Sequence, residues 1–209
     1  MMIKKIRNFK FVIHNCQKGM SYVELIVVLG IFSVMTSISL FNYGSFQAKV
    51  DIKNLASDIA LKVVEAQKSS LSGKLPPLVQ QGQVGPTWRP SYGIYIDQAT
   101  DNKSFSYFVD IDSSGFLSNP DCASGGECLN KIPITKGNTI SDLKVFYQDG
   151  TSASLSDLAI TFQRPNSGAI INTSLGFISV ISYIEIKLAS IKEPTAVIKI
   201  YPSGRIQVN

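Results

Sequence analysis

The chain has 209 residues, of which 44% are hydrophobic and only 17% are charged. That length suits one globular domain with additional segments and excludes two large domains. The net charge of +5 would suggest acidic partners if it were spread over the chain. The positive excess lies in residues 1–19, which contain five basic residues and no acid. Residues 20–209 are therefore formally neutral, with 15 residues of each sign.

A charge-free apolar run follows the basic N-terminus. No Asp, Glu, Lys or Arg occurs from Leu25 to Ala48. As a helix, its apolar stretch would be about 33 Å long, enough to cross a hydrocarbon core of about 30 Å. Because the basic residues precede the run, the N-terminus is expected to stay cytoplasmic and the C-terminal part to be exported. A plain membrane anchor is the simplest interpretation of this composition.

The residues at the start of the run form a more specific pattern. Basic residues and a Gly19–Met20 pair are followed by Glu24 and then by the apolar run. This pattern resembles the class III leader junction of type IV prepilins. The resemblance implies that the prepilin peptidase removes residues 1–19 by cutting between Gly19 and Met20, and that the new N-terminus at Met20 is methylated.

Glu24 is the fifth residue of that implied mature chain. A carboxylate at the edge of a membrane helix costs about 2–3 kcal/mol if it is unpaired, which makes it a functional candidate. The resemblance makes Glu24 an assembly residue that meets the amino group of Met20 on an adjacent subunit. The alternative is a Glu that lies in the headgroup layer without a role. The chain departs from many pilins at Phe41, where they carry Pro.

The charge-free run leads into an amphipathic stretch. Apolar residues recur at spacings of three and four from Ile52 to Ala66, with charged residues mostly on the other side. The pattern predicts one long helix. Its 20–48 half would face lipid or a fibre core, and its 49–72 half would lie on a sheet. Gly73 predicts where the helix ends.

Residues 73–209 are predicted to form a β-rich globular domain that begins with a loop at 73–90. Short β-branched and aromatic runs then alternate with turns. A long N-terminal helix packed on an antiparallel sheet is an α+β fold. The resemblance to type IV prepilins implies the pilin fold, which has this arrangement. The predicted strands are 91–97, 105–111, 143–147, 159–163, 169–172, 183–188, 196–201 and 204–208.

The globular part also resembles, more loosely, the GspH/FimT group of minor pseudopilins and minor pilins. The segments that carry this resemblance are 92–95, 107–110, 160–168 and 198–206. It implies a structural subunit, without enzymatic activity, of a type IV pilus or a type II secretion pseudopilus. The implied partners are the prepilin peptidase, other pilins or pseudopilins, the inner-membrane assembly platform and, before assembly, membrane lipid. The subunit would be a single-pass inner-membrane protein and then part of a periplasmic or extracellular filament.

Two cysteines remain after the implied cleavage, which removes Cys16 and the only histidine, His14. Cys122 and Cys128 enclose a five-residue segment with a flexible Gly pair. In an exported domain a disulfide is the expected state, and free thiols are the alternative if the exterior is not oxidising. Zinc is disfavoured because the mature chain has no His and no second Cys pair.

A calcium site is a further hypothesis. Asp110, Asp112 and Ser114 alternate before Gly115, and Asp121 follows, which resembles a calcium loop of oxygen ligands with a Gly at the turn. An EF-hand needs a helix on each side, whereas a strand enters here. The favoured alternative is a strand–turn corner in which Asp and Ser side chains bind their own backbone. The sequence indicates no other cofactor.

DNA binding is the alternative function. Some FimT-like minor pilins bind DNA through a Gly-Arg-x-Arg element, and the corresponding stretch here begins at Gly204 and has Gln207 in place of the second Arg. Arg205 and Lys199 are the candidate DNA-binding residues. A duplex binder needs several cations, which a neutral domain does not readily supply. An enzymatic role has no support, since the sequence has no Ser/His pair, phosphate-binding Gly loop or metal triad.

Overall fold

The computed structural model describes residues 19–118, 122, 125–174, 176–177, 181–191 and 194–209. These residues belong to two compact units, which divide between Tyr43 and Gly44. Residues 1–18 of the predicted leader and the calcium candidate Asp121 lie outside the described residues.

The first element, α1, is a continuous helix of 50 residues, Tyr22–Leu71. It ends in a Schellman motif at Gly73, whose φ of 70° is strained for any residue with a Cβ. The N–H of Gly73 donates to Ser70 O and that of Lys74 donates to Ser69 O, both at 3.0 Å. The predicted single helix and its glycine stop are therefore confirmed.

The predicted loop at 73–90 contains a short helix, α2 (Leu78–Gln81), which the sequence interpretation missed. Eleven strands follow in the described residues. They are β1 (Ser91–Asp97), β2 (Ser104–Val109), β3 (Cys128–Pro133), β4 (Thr139–Tyr147), β5 (Ser152–Ser154), β6 (Asp157–Gln163), β7 (Ile170–Thr173), β8 (Gly176–Phe177), β9 (Ile181–Ala189), β10 (Thr195–Ile200) and β11 (Ile206–Val208).

The strands form two antiparallel sheets, with the orders β3-β2-β1-β6-β7-β8 and β11-β10-β9-β4-β5. The prediction of one antiparallel sheet was therefore too simple, because alternation of apolar residues does not say which strands pair. All eight predicted strands are present; β1 has the predicted bounds and the other seven have shifted bounds. The three that were missed, β3, β5 and β8, are short or polar edge strands whose patterns carry little apolar signal.

One hydrophobic core joins the second half of α1 to residues from both sheets. From α1 it receives five residues with at most 1% exposure, spaced four and three apart, so that they occupy one helix face. The apolar stripe predicted for this half of the helix consisted of Ile52, Leu55, Ile59, Val63 and Ala66, and it is confirmed except that Leu55 is only half-buried and Ala56 is buried in its place. The α+β class therefore holds. The five residues are Ile52, Ala56, Ile59, Val63 and Ala66.

A second, smaller cluster lies on the other face of the six-stranded sheet. Phe108 belongs to it, whereas its strand neighbours Tyr107 and Val109 belong to the main core, as alternation along a strand requires. Leu117 and Cys128 join Phe108 there. This cluster fixes the segment that follows β2 against the sheet.

Candidate functional site

The N-terminal half of α1 presents an apolar surface that nothing in the described chain covers. Its large apolar side chains from Leu25 to Phe46 are 44–87% exposed. One window of 18 residues in α1 has a mean hydropathy of 2.2 and none of it is buried, so the helix is long and apolar enough to cross a membrane.

The predicted processing and assembly residues lie at the start of this helix. Gly19 and Met20 are exposed and precede α1 by one residue, Ser21, and Glu24 is an exposed acid in the first turn of the helix. A carboxylate there complements the positive end of the helix dipole. The amide of Leu25 donates to Ser21 O at 3.1 Å, which closes the first turn.

A separate group of acidic residues is assembled by the pairing of β2 with β3. Asp110 directly follows β2, and Glu127 directly precedes β3. The amide of Val109 donates to Glu127 O at 2.9 Å, so the antiparallel register brings both acids to the same end of the pair. Asp112 lies two residues further on. One carboxylate oxygen from each of the three acids lies within 4.8 Å of the others. We call this group the acidic corner.

The two buried acids of the corner are held by hydrogen bonds. Asp110 is 2% exposed, and its Oδ2 accepts from Ser91 Oγ at 3.1 Å and from Gly115 N at 3.0 Å. Its Oδ1 is also buried and has no hydrogen-bond partner in the described part of the chain. Glu127 is 4% exposed, and it accepts from the amides of Ile111 at 3.0 Å and Ser118 at 2.7 Å.

The exposed acid, Asp112, organises the turn. Its Oδ1 accepts from Ser114 N at 2.9 Å and its Oδ2 from Ser118 Oγ at 2.8 Å. Gly115 completes the turn with a φ of 73°, and the Asn172 side-chain amide donates to its carbonyl at 2.9 Å. The strand–turn corner expected from the sequence is therefore present.

The electrostatics of the corner reflect crowded negative charge. The pKa of Asp110 is raised to about 7, mainly by burial and in addition by the nearby acids Asp112 and Glu127, against the lowering effect of its hydrogen bonds to Gly115 and Ser91. Burial also raises the pKa of Glu127. Burial opposes ionisation of Asp112 as well, but its hydrogen bonds to Ser114 and Ser118 leave its pKa lowered. No described Lys or Arg forms an ion pair with any of the three acids.

The predicted disulfide between Cys122 and Cys128 is present, with Cα atoms 4.6 Å apart. Cys128 is 2% exposed and belongs to the second hydrophobic cluster. The bridge thus ties the segment before β3 to the sheet next to Glu127. Glu127 was not among the candidate ligands predicted from the sequence. Its only local signal is its position directly before Cys128, which the predicted disulfide anchors.

The predicted DNA-binding residues belong to the β10–β11 hairpin of the five-stranded sheet: Lys199 lies on β10 and Arg205 lies in the turn before β11. Lys199 Nζ lies 4.7 Å from the ring centroid of Tyr183, and the Arg205 guanidinium lies 3.9 Å from that of Tyr201. Lys199 also lies 3.8 Å from Glu185 Oε2. The structure therefore brings the two cations to one surface, where each contacts an aromatic ring.

Comparison of the chain with protein-family models, with curated proteins and with solved structures finds no match.

Proposed function

We propose that this chain is a type IV pilin-like filament subunit, a minor pilin or pseudopilin of a type IV pilus or a type II secretion pseudopilus. The main observation behind the proposal is that the two halves of α1 have different surfaces. One continuous helix has a charge-free apolar half with no cover and a second half buried in a β-rich domain. A large exposed apolar surface marks a membrane or an interaction site, and a filament subunit uses both in turn.

The proposed sequence of events begins at the junction before α1. The precursor inserts with residues 1–19 in the cytoplasm, and the prepilin peptidase cuts between Gly19 and Met20. The apolar half of α1 then leaves the lipid and packs with the helices of other subunits. Glu24, in the first turn, pairs with the Met20 amino group of a neighbour and offsets the cost of moving its carboxylate out of water.

N-terminal mass spectrometry of the protein from membranes tests this proposal. Expression beside an active prepilin peptidase should yield an N-terminal peptide that begins with methylated Met20. A catalytically inactive peptidase, in otherwise identical cells, should leave residues 1–19 in place. An intact leader in the presence of the active enzyme would contradict the proposed processing. The apolar half of α1 would then be a plain membrane anchor.

DNA binding is a second candidate function, which the cation–aromatic surface of the five-stranded sheet favours. Arg205 and Lys199 are placed there beside aromatic rings, a combination that suits nucleic acid. Gel-shift titration of the detergent-solubilised chain at two salt concentrations tests it. Binding that weakens with salt and is reduced by Arg205→Ala supports a DNA receptor, and absence of a shift rules it out.

A further inference from the structure

The acidic corner has no role in the proposed filament function. We propose that it binds a divalent cation of the calcium type, with carboxylate oxygens from Asp110, Asp112 and Glu127 as protein ligands. The proposal adds Glu127 to Asp110 and Asp112 of the calcium hypothesis from the sequence, whereas the distal acid of that hypothesis, Asp121, lies outside the described residues. The inference does not depend on the chain being a filament subunit.

The spacing of the three carboxylates suits a shared ion. Oxygens bound to one Ca²⁺ at about 2.4 Å lie at most about 4.8 Å apart. The nearest oxygens of Asp110, Asp112 and Glu127 lie within 4.8 Å of one another. They are held there by two strand ends and a hydrogen-bonded turn, so the arrangement exists before any ion binds.

The second observation is the Asp110 carboxyl itself. It is 2% exposed, and its Oδ1 has no hydrogen-bond partner among the described residues, although its Oδ2 has two. The group lies beside the Asp112 carboxyl, close enough for a hydrogen bond if one of them carries a proton. A buried carboxylate oxygen without a partner is costly, and it is normally compensated by a cation or by a proton.

The chemistry of the donors indicates a hard cation. The three acids offer only oxygen, and the hydroxyls of Ser114 and Ser118 lie on the same turn. Calcium accepts irregular sets of carboxylate, hydroxyl and water oxygens, whereas zinc prefers nitrogen and sulfur. Asp112 is exposed, which gives the ion a route to the buried Asp110 and leaves positions for water.

Trp88, the only tryptophan, provides a direct readout of binding at this site. Its indole Nε1 donates to Asp110 O at 2.8 Å, so a lanthanide in the corner lies within energy-transfer range of the indole. Tb³⁺ is added to the full chain in detergent micelles, with excitation of Trp88 and detection of Tb³⁺ emission. Sensitised emission is expected, and Ca²⁺ should remove it by competition.

Charge-removing variants identify the site. Asp112→Asn and Glu127→Gln should each weaken Ca²⁺ competition at least about tenfold. Asp149→Asn is the matched control, because Asp149 is an exposed turn acid that accepts from its own backbone at Thr151 and lies outside the corner. It should bind like the unmodified chain. Circular dichroism of each variant verifies that the fold is retained.

Melting of the unmodified chain gives a test that needs no variant. Calcium at about 100 times its Kd should raise the melting temperature by about 5 °C or more, and a chelator should reverse the shift. Equal melting temperatures in calcium and in chelator overturn the proposal. The buried carboxyl oxygen of Asp110 would then be compensated by a proton shared with Asp112. Sensitised emission that survives Asp112→Asn, or that Asp149→Asn removes equally, also overturns it.

Discussion

The indole Nε1–H of Trp88 donates a 2.8 Å hydrogen bond to the main-chain carbonyl of Asp110. This contact connects the segment before β1 to the first residue after β2. It also places the only tryptophan beside the acidic corner and the segment tied down by the disulfide. Emission from Trp88 therefore reports on whether this corner is folded.

Reduction of the Cys122–Cys128 bridge should lower the free energy of unfolding by about 2 kcal/mol, the loop entropy expected for so short a closed loop. Urea denaturation with and without reductant, followed by Trp88 emission, measures the change. A variant with both cysteines replaced by Ala should unfold at the same urea concentration in either condition. A reductant effect on that variant would assign the loss to something other than the bridge.

Gly115→Ala should destabilise the chain more than Gly150→Ala does. Both glycines have positive φ, 73° and 85°, so each substitution costs about 1 kcal/mol of backbone strain. A Cβ at Gly115 would also overlap the Asn172 side chain, whereas none of the described atoms lies within 4 Å of a Cβ at Gly150. We expect an additional loss of at least about 1 kcal/mol at Gly115, measured by urea denaturation. Equal losses of stability in the two variants would mean that the Asn172 side chain moves away from the added Cβ at little cost.

Ile59→Ala in α1 should cost about 2–5 kcal/mol, because Ile59 is fully buried in the main core. Leu61→Ala is the matched control, since Leu61 lies two residues away on the same helix and is 63% exposed. That change should stay within about 0.5 kcal/mol. Thermal melting of detergent-solubilised monomer compares the two. Similar losses would contradict the packing of this helix face against the sheets.

Asp101→Asn should reduce stability near neutral pH but not in strong acid. Hydrogen bonds from the Ser104 hydroxyl, Lys131 and the Lys103 amide lower the pKa of Asp101 from 3.8 to about 2. A lowered pKa contributes stability above the unfolded value of 3.8, and this contribution is lost as pH falls through about 2. Melting temperatures of both proteins should therefore converge between about pH 4 and pH 2. Lys131→Gln removes one of these hydrogen bonds and should therefore narrow the pH range over which the stability contribution of Asp101 is lost. A difference in melting temperature between the Asp101→Asn variant and the unmodified chain that persists at about pH 2 would contradict the lowered pKa of Asp101.

Glu24→Gln should leave peptidase cleavage intact but reduce incorporation into filaments by about tenfold, which corresponds to about 1.4 kcal/mol. The reason is that the neutral amide cannot pair with the Met20 amino group of a neighbour. The fraction of subunit in sheared or sedimented filaments measures this effect. Glu65→Gln is the control, because it removes the same charge from the same helix, where Glu65 pairs with Lys62 at 2.7 Å. Equal incorporation of the two variants into filaments would show that Glu24 has no role in assembly.

The acidic corner illustrates how far sequence reasoning reached. The alternation of Asp110, Asp112 and Ser114 before Gly115 predicted both a turn and a possible set of oxygen ligands. The local pattern did not place Glu127 at the corner, because Glu127 reaches the corner only through the pairing of β2 with β3. That pairing involves β3, an edge strand in which half of the six residues are exposed and which carries almost no apolar pattern.

Local chemistry was enough to predict the long helix and eight of the eleven strands in the described residues, but not α2, β3, β5 or β8. The spacing of apolar residues predicted α1, Gly73 predicted its end, and β-branched and aromatic runs predicted these eight strands, because each signal arises from neighbours along the chain. The division into two sheets, the burial of the Asp110 carboxyl and its convergence with Glu127 were decided by tertiary structure alone. These features depend on which distant strands pair and on what that pairing removes from water, and a pattern of neighbouring residues contains neither.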